Sequence, residues 1–301
     1  MNKGPKISVI MPVYNAEEFV KEAITSILGQ THKNFEFIII NDGSTDRSLE
    51  IIKNYLVKDK RIIIISRENR GLVSSLNEGF KNAKGKYIAR MDADDISLPE
   101  RFENQVRIME DERLDICGGT YFRIRSSGER IKINSTPQTH DLCTLSLISK
   151  VPFAHSTVMI RKEFLEKHNL FYGQSDFKKA EDLDLWVRMH EKGAKFGNTS
   201  TPILNYRISN NSLSKINNKQ IKRQTLKILE NFKLKNQKII ETIINEKFKN
   251  LNDEEQSVII RAIYRIYLVK FRFDKLYLMR KYNKKILIKS LLSEIKNTAL
   301  F

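Results

Sequence analysis

Along the first two thirds of the chain, short apolar runs rich in isoleucine and valine alternate with stretches in which apolar residues recur every three or four positions. The runs read as strands and the stretches between them as amphipathic helices. A first strand is predicted at Ile7 to Val13 and a helix from about Ala16 to Leu28. The second strand, Phe35 to Ile40, passes through Asn41-Asp42-Gly43-Ser44-Thr45-Asp46 into a helix whose N-cap is expected at Ser44 or Thr45. Ile62 to Ile65 is a third strand and Gly71 to Ala83 a helix. The fourth strand, Tyr87 to Met91, ends directly on Asp92-Ala93-Asp94-Asp95. Pro99 suits the first position of another helix, running to about Glu110. This alternation predicts an α/β fold built from βαβ units, with a mainly parallel sheet flanked by helices.

After residue 110 the pattern loosens. A hairpin is expected around Ser126-Ser127-Gly128, helices near Asp141 to Ser149 and Glu181 to Lys192, and a late strand at Ile203 to Arg207. Beyond Lys215 the sequence turns to Lys/Asn/Ile/Leu-rich helical segments without strand signals. A boundary is therefore expected near residue 215, dividing residues 1–215 from a helical region at 216–301. No internal repeat is visible.

Charge sharpens that division. The net charge is +17; residues 216–301 hold 20 Lys+Arg against 8 Asp+Glu, a net of +12, which leaves +5 for the rest. Tyr264-Arg265-Ile266-Tyr267-Leu268-Val269-Lys270-Phe271-Arg272-Phe273 interleaves cations with aromatics, as in helices lying on an anionic membrane. A helical appendage packed on the first unit is the alternative, and a nucleic-acid surface is the least favoured of the three. No stretch approaches the roughly 18 uncharged apolar residues of a membrane span. The first residues lack the pattern of a signal peptide, and Cys117 and Cys143 form no disulfide or zinc framework. A cytoplasmic protein, with peripheral contact to the inner face of the cell membrane, is expected.

In open sheets of this kind ligands collect outside the carboxyl ends of the strands. Tyr14-Asn15, Asn41-Asp42 and Asp92 to Asp95 all occupy that position. The acidic run offers several hard oxygen ligands within one turn, which suits Mg²⁺ or Mn²⁺ shared with substrate phosphates. As an isolated Asp-x-Asp, the same run is more often a solvated loop. A calcium loop fails on spacing, because Ile96 and Ser97 fall where a ligand and the turn glycine are needed. Neither a G-x-x-x-x-G-K-[ST] nor a G-x-G-x-x-G motif is present, so a bound phosphate must be held mainly by a cation.

The arrangement resembles glycosyltransferase family 2, the inverting nucleotide-sugar transferases with the GT-A fold. The resemblance rests on Ile7-Ser8-Val9-Ile10-Met11-Pro12-Val13-Tyr14-Asn15, Glu36 to Asp46, Glu68-Asn69-Arg70-Gly71, Ala89 to Asp95 and Ala180-Glu181-Asp182-Leu183-Asp184-Leu185-Trp186. It implies a GT-A type Rossmann-like sheet with a C-terminal helical extension. It places Pro12, Tyr14, Asn15 and Asp42 in the nucleoside pocket, Asp42 accepting from the uracil imide, with Arg70 and Gly71 against the donor. Asp92, Ala93 and Asp94 take the ribose and the metal, with Asp95 as a further ligand. Asp182 becomes the catalytic base and Glu181 a ligand of the acceptor or donor sugar. Arg207, in a loop resembling the family's Arg-x-His-x-x-Ser-x-Ser segment, faces the diphosphate; Ser209 stands in place of the His.

Structural readings compete at several positions. Asp42 is also a turn former, Asp182 a helix cap, His155 a core histidine as readily as a donor-pocket residue, and Trp186 a core anchor rather than an acceptor platform. The expected activity is transfer of a hexose or N-acetylhexosamine from a UDP-sugar to a glycan or lipid-linked acceptor, in bacterial surface polysaccharide synthesis. The alternative is a non-catalytic sugar-nucleotide or polysaccharide binding protein on the same fold.

Overall fold

The computed structural model describes residues 6–208, 218–245, 250–267, 278–279 and 281–298. The first half alternates as expected: β1 Ile7–Val13, α1 Val20–Leu28, β2 Phe35–Asp42, α2 Ser48–Leu56, β3 Ile62–Arg67, α3 Leu72–Asn82 and β4 Tyr87–Arg90. Then follow β5 Ile96–Ser97, α4 Arg101–Asp111, β6 Ile116–Ile124, β7 Arg130–Asn134, α5 His140–Ser146, β8 Met159–Arg161, α6 Lys162–Lys167, α7 Glu181–Glu191 and β9 Phe196–Arg207. Four helices close the described chain: α8 Asn218–Lys235, α9 Gln237–Asn245, α10 Asp253–Ile266 and α11 Lys284–Thr298.

All nine strands join one sheet, in the order β3-β2-β1-β4-β8-β6-β9-β5 with β7 on β6. The block β3-β2-β1-β4 is parallel. Beyond it β4-β8, β8-β6 and β5-β9 are antiparallel while β6-β9 is parallel, so the sheet as a whole is mixed. Each parallel pair, β6-β9 included, is joined through intervening helices.

Strand alternation distributes the core to both faces. On β1, Ile7, Val9, Met11 and Val13 pack with α1 and α4, whereas Ile10 faces Leu76 of α3 and a larger cluster. Phe35, Phe37 and Ile39 of β2 join the first layer and Ile38 and Ile40 the second. Covering on both faces explains why these strands are apolar throughout. The second layer runs on without interruption through Trp186 of α7 to Phe232, Ile240, Ile259 and Ile263 of the C-terminal helices. The position expected for a boundary, near residue 215, lies outside the described residues, as do Ser209 and the 268–273 part of the aromatic basic run.

Several local expectations are corrected. Helix α2 starts at Ser48, because the Asp46 carboxylate accepts the Ser48 N–H (2.9 Å) while Ser44 and Thr45 bond to Asn15 instead. Pro99 lies in a turn before α4, its carbonyl accepting the Thr31 N–H at 2.9 Å. Helix α1 begins at Val20, four residues late. Strands β5 and β8 and helix α6 were not anticipated, and β9 is longer than Ile203 to Arg207. The hairpin between β6 and β7 is present, turning at Gly128 with φ +86°.

Candidate active site

Parallel β1, β2 and β4 deliver the three polar clusters side by side at their carboxyl ends. The loops after β1 and β2 are laced together. Asn15, in the left-handed region at φ +48°, accepts the Thr45 N–H on Oδ1 (2.8 Å) and donates its own N–H to Ser44 Oγ (3.1 Å). Glu17 N–H donates to Asp46 Oδ2 (2.9 Å) and Arg47 N–H to Glu17 Oε2 (3.0 Å). Asn15 thus builds the rim, while Tyr14, 54% exposed, leaves its ring open to a ligand.

Asp42, at the end of β2, is buried and organises the loop after β3. Its Oδ1 accepts the Arg70 N–H (2.8 Å) and its Oδ2 the Gly71 N–H (3.0 Å), and it forms an ion pair with Arg67. Arg67 also donates to Glu78 Oε2 (2.6 Å) and Ser75 Oγ (3.0 Å). Gly43 allows the two loops to meet, since a Cβ there would lie 2.6 Å from the Asn69 nitrogen. Asp42, Arg70 and Gly71 are therefore brought together, with the Arg70 side chain exposed.

After β4, ligand oxygens of Asp92, Asp94 and Asp95 all lie within 4.8 Å of one another. Burial, then the Asp92 charge, pushes the Asp94 carboxyl up to about 6. The same two causes and Asp94 drive Asp95 well above its ordinary value, against the Ser156 hydroxyl and the Arg207 amide. One Asp95 oxygen, Oδ2, is buried without a hydrogen-bond partner. Three crowded carboxylates, an orphaned oxygen and hard donor chemistry fit a divalent cation of the Mg²⁺ or Mn²⁺ type.

Arg207 meets this cluster from the protein side. Its N–H donates to Asp95 Oδ1 (2.8 Å), its Nε to the Asp94 carbonyl (2.7 Å), Nη1 to the Ser126 carbonyl (2.5 Å) and Nη2 to Glu22 Oε2 (2.6 Å). Its guanidinium also lies 4.4 Å from the Phe19 ring centre. With its donors so committed and its side chain 1% exposed, Arg207 supports the loop in place of facing a diphosphate, a correction to its expected position.

Glu181 and Asp182 open α7, which has no side-chain cap. Burial and then Asp182 raise Glu181 to about 7. Asp182 is raised too, by burial, although the Leu183 amide (2.7 Å to Oδ1) and the Arg90 charge oppose the rise. The helix end favours the anion, as its sequence position suggests, but burial outweighs it.

Arg90 ties the halves together. This buried side chain of β4 pairs with Asp92, and its charge reaches Asp95, Asp182, Glu181, Tyr172 and His155. Burial works against its charge, yet Asp92 and its neighbours raise its pKa overall. His155 Nε2 pairs with the Tyr172 hydroxyl at 2.8 Å, and burial, followed by Arg90, holds the imidazole neutral. Trp186 is fully buried against Phe153, Tyr172 and His155, so it is a core anchor and not a platform. Sequence reasoning passed over Arg67, Arg90 and Tyr172. A lone arginine at the end of an otherwise apolar strand was the available signal for Arg90; Arg67, after Ser66 and past the expected strand, and Tyr172 carried none.

The model of Glycosyl transferase family 2 matches residues 8–169. An uncharacterized glycosyltransferase of Haemophilus influenzae is 31% identical over 95% of this chain and 99% of its own length. Among solved structures, S. aureus TarS 1-349 in complex with UDP has a TM-score of 0.60 at 18% identity, over 95% of this chain and 88% of that one. The mannosyltransferase PcManGT from Pyrobaculum calidifontis, in complex with GDP-Man and Mn²⁺, gives 0.57 at 13% identity, over 99% and 79%. At these identities the two structures speak for the GT-A fold.

Proposed function

The chain belongs to glycosyltransferase family 2, and from that membership we propose an inverting, metal-dependent transferase that uses a UDP-sugar. The observation that carries this reading is the gathering of Asp92, Asp94 and Asp95 at the end of β4, beside the Asp42 pocket and across Arg90 from Glu181 and Asp182. TarS binding UDP favours a uridine donor, and PcManGT with GDP-Man and Mn²⁺ favours a cation at the acidic cluster.

In this reading Asp92, Asp94 and Asp95 would hold a Mn²⁺ or Mg²⁺ ion, which when bound would supply positive charge beside the donor diphosphate. Tyr14 and Pro12 flank the nucleoside, and Asp42 accepts the uracil imide N–H. Arg70 and Gly71 border the donor, and Ala93 leaves room beside the ribose. Asp182 takes the proton of an acceptor hydroxyl as that oxygen bonds to the anomeric carbon. The bond from that carbon to the diphosphate breaks, and UDP leaves with the electron pair. A single displacement inverts the anomeric centre, and general base assistance contributes on the order of 10² to 10⁴ in rate. Glu181 binds a sugar hydroxyl beside the base. A hexose or N-acetylhexosamine is the transferred group, and a glycan or lipid-linked oligosaccharide the acceptor, at the cytoplasmic side of the membrane. No helix among the described residues is long and apolar enough to cross a bilayer.

Hydrolysis of a panel of nucleotide sugars, with and without Mn²⁺, tests the proposal. Consumption of a UDP-sugar only with the ion supports it; a protein that binds UDP-sugars without consuming any, even with acceptor mixtures, is the binding protein of the alternative.

A further inference from the structure

Next to the carboxylate pair the surface is strongly basic. Lys178 and Lys179 are exposed and precede α7, and Lys179 is close enough to oppose the upward shift of Glu181. Helix α8 lies against this segment: Gln224 Oε1 accepts the Lys179 N–H at 2.8 Å, and the Lys227 ammonium lies 6.0 Å from the Phe177 ring centre. On α8, Lys219, Arg223 and Lys227 follow one another at four-residue spacing with Lys222 alongside, which aligns them as a stripe. All four are exposed. Further along the same helix Lys233 and Lys235 are neutralised by Glu230 and Glu191, whereas among the described residues the stripe, Lys178 and Lys179 have no ion-pair partner. Asp176 is the one acid between Phe171 and Lys179.

Uncompensated cations crowded on one edge set up a field that attracts an anion. The donor diphosphate belongs to the other half of the site, at Asp92 to Asp95, so this field serves the second substrate. We propose that the rim formed by Lys178, Lys179, Lys219, Lys222, Arg223 and Lys227 binds the acceptor, and that the acceptor carries phosphate. The inference rests on the reading of Asp182 as the base on the acceptor side. Phosphate of two origins fits the same chemistry, that of a lipid phosphate and that of a phosphate-containing glycan.

The test measures binding to the full-length chain in EDTA, where no divalent ion draws phosphate to the acidic cluster. Probes are geranylgeranyl phosphate in mild detergent, an oligomer of glycerol phosphate, and uncharged geranylgeraniol. Lys179→Gln/Lys222→Gln/Arg223→Gln is compared with a charge-matched control on and beside α2, Lys53→Gln/Lys58→Gln/Lys60→Gln. At least one phosphate probe is expected to bind, more weakly at high salt, with affinity lowered about tenfold or more by the rim variant and unchanged by the control. Preference for the prenyl probe identifies a lipid phosphate, and preference for the oligomer a glycan phosphate. Absence of binding by both, equal binding of geranylgeraniol, or equal affinity of the two triple variants overturns the proposal. Asp182→Asn keeps probe binding, so an error in the base assignment shows in turnover alone.

Discussion

Arg207 and Asp95, 112 positions apart in sequence, are joined by a 2.8 Å hydrogen bond from the Arg207 backbone N–H to a carboxylate oxygen. The bond locks the last residue of β9 to the acidic loop after β4, and the guanidinium of the same residue grips the Asp94 carbonyl and Glu22. The shape of the acidic loop thus depends on a residue that is itself 1% exposed in its side chain. Arg207→Met removes the grip but keeps the N–H. Stability is expected to fall by about 3 kcal/mol, because buried carbonyls lose their donors, and Mn²⁺ affinity to fall with it. Urea denaturation and Mn²⁺ titration by electron paramagnetic resonance report the two effects; an unchanged Mn²⁺ affinity would mean that the loop holds its shape alone.

The Asp42 carboxylate holds Arg70 and Gly71 in place, and under the proposed function it also accepts the uracil imide N–H. Asp42→Asn keeps the size but exchanges one acceptor for a donor and removes one of the two carboxylates that pair with Arg67, leaving Glu78. UDP affinity measured calorimetrically with Mn²⁺ is expected to drop at least about tenfold, the scale of one hydrogen bond to a charged group. Full UDP affinity in this variant would remove Asp42 from the nucleoside pocket.

Glu181 gives stability a distinct pH dependence. Its folded-state carboxyl lies near 7, above the 4.5 of an unperturbed Glu, so the folded protein retains the proton more strongly than the unfolded chain. The stabilisation is complete below 4.5 and is lost as pH rises from there towards 7. Against Glu181→Gln, the wild type should lose relative stability across that window and run parallel above it. Parallel curves from pH 4 to 8 contradict the raised carboxyl.

Divalent binding should carry its own pH signature. With Asp94 at about 6 and Asp95 raised well above its ordinary value, protons compete with the cation for the same oxygens. Mn²⁺ affinity is therefore expected to weaken steadily as pH falls below about 6. Asp94→Asn should lower it at every pH, and chelation should stop turnover of the wild type. Turnover that persists in EDTA points to a metal-independent mechanism.

The legible part of this molecule was the part set by local pattern. Strands buried on both faces read as apolar runs, and β1, β2 and β4 placed Asn15, Asp42 and Asp92 at one edge from chain order alone. What escaped depends on long-range contact. The cap of α2 moved because Asn15, from another loop, claims Ser44 and Thr45. Strands of two and three residues, β5 and β8, exist through pairing with β9, β4 and β6 and have no periodicity of their own. The resemblance sets Arg207 against the diphosphate, and its bonds to Asp94 and Asp95 emerge only from packing. Arg90 was visible as a charge in an apolar strand, and its reach to both carboxylate groups was not.

The central claim separates a donor site at Asp92 to Asp95 from a base at Asp182. The most direct measurement is UDP release from a UDP-sugar by the full-length chain in Mn²⁺, with acceptor, for the wild type and Asp182→Asn. The account predicts a kcat lower by on the order of 10² to 10⁴ in the variant with the donor KM within a few-fold. An unchanged kcat, or a loss expressed in donor KM alone, contradicts it.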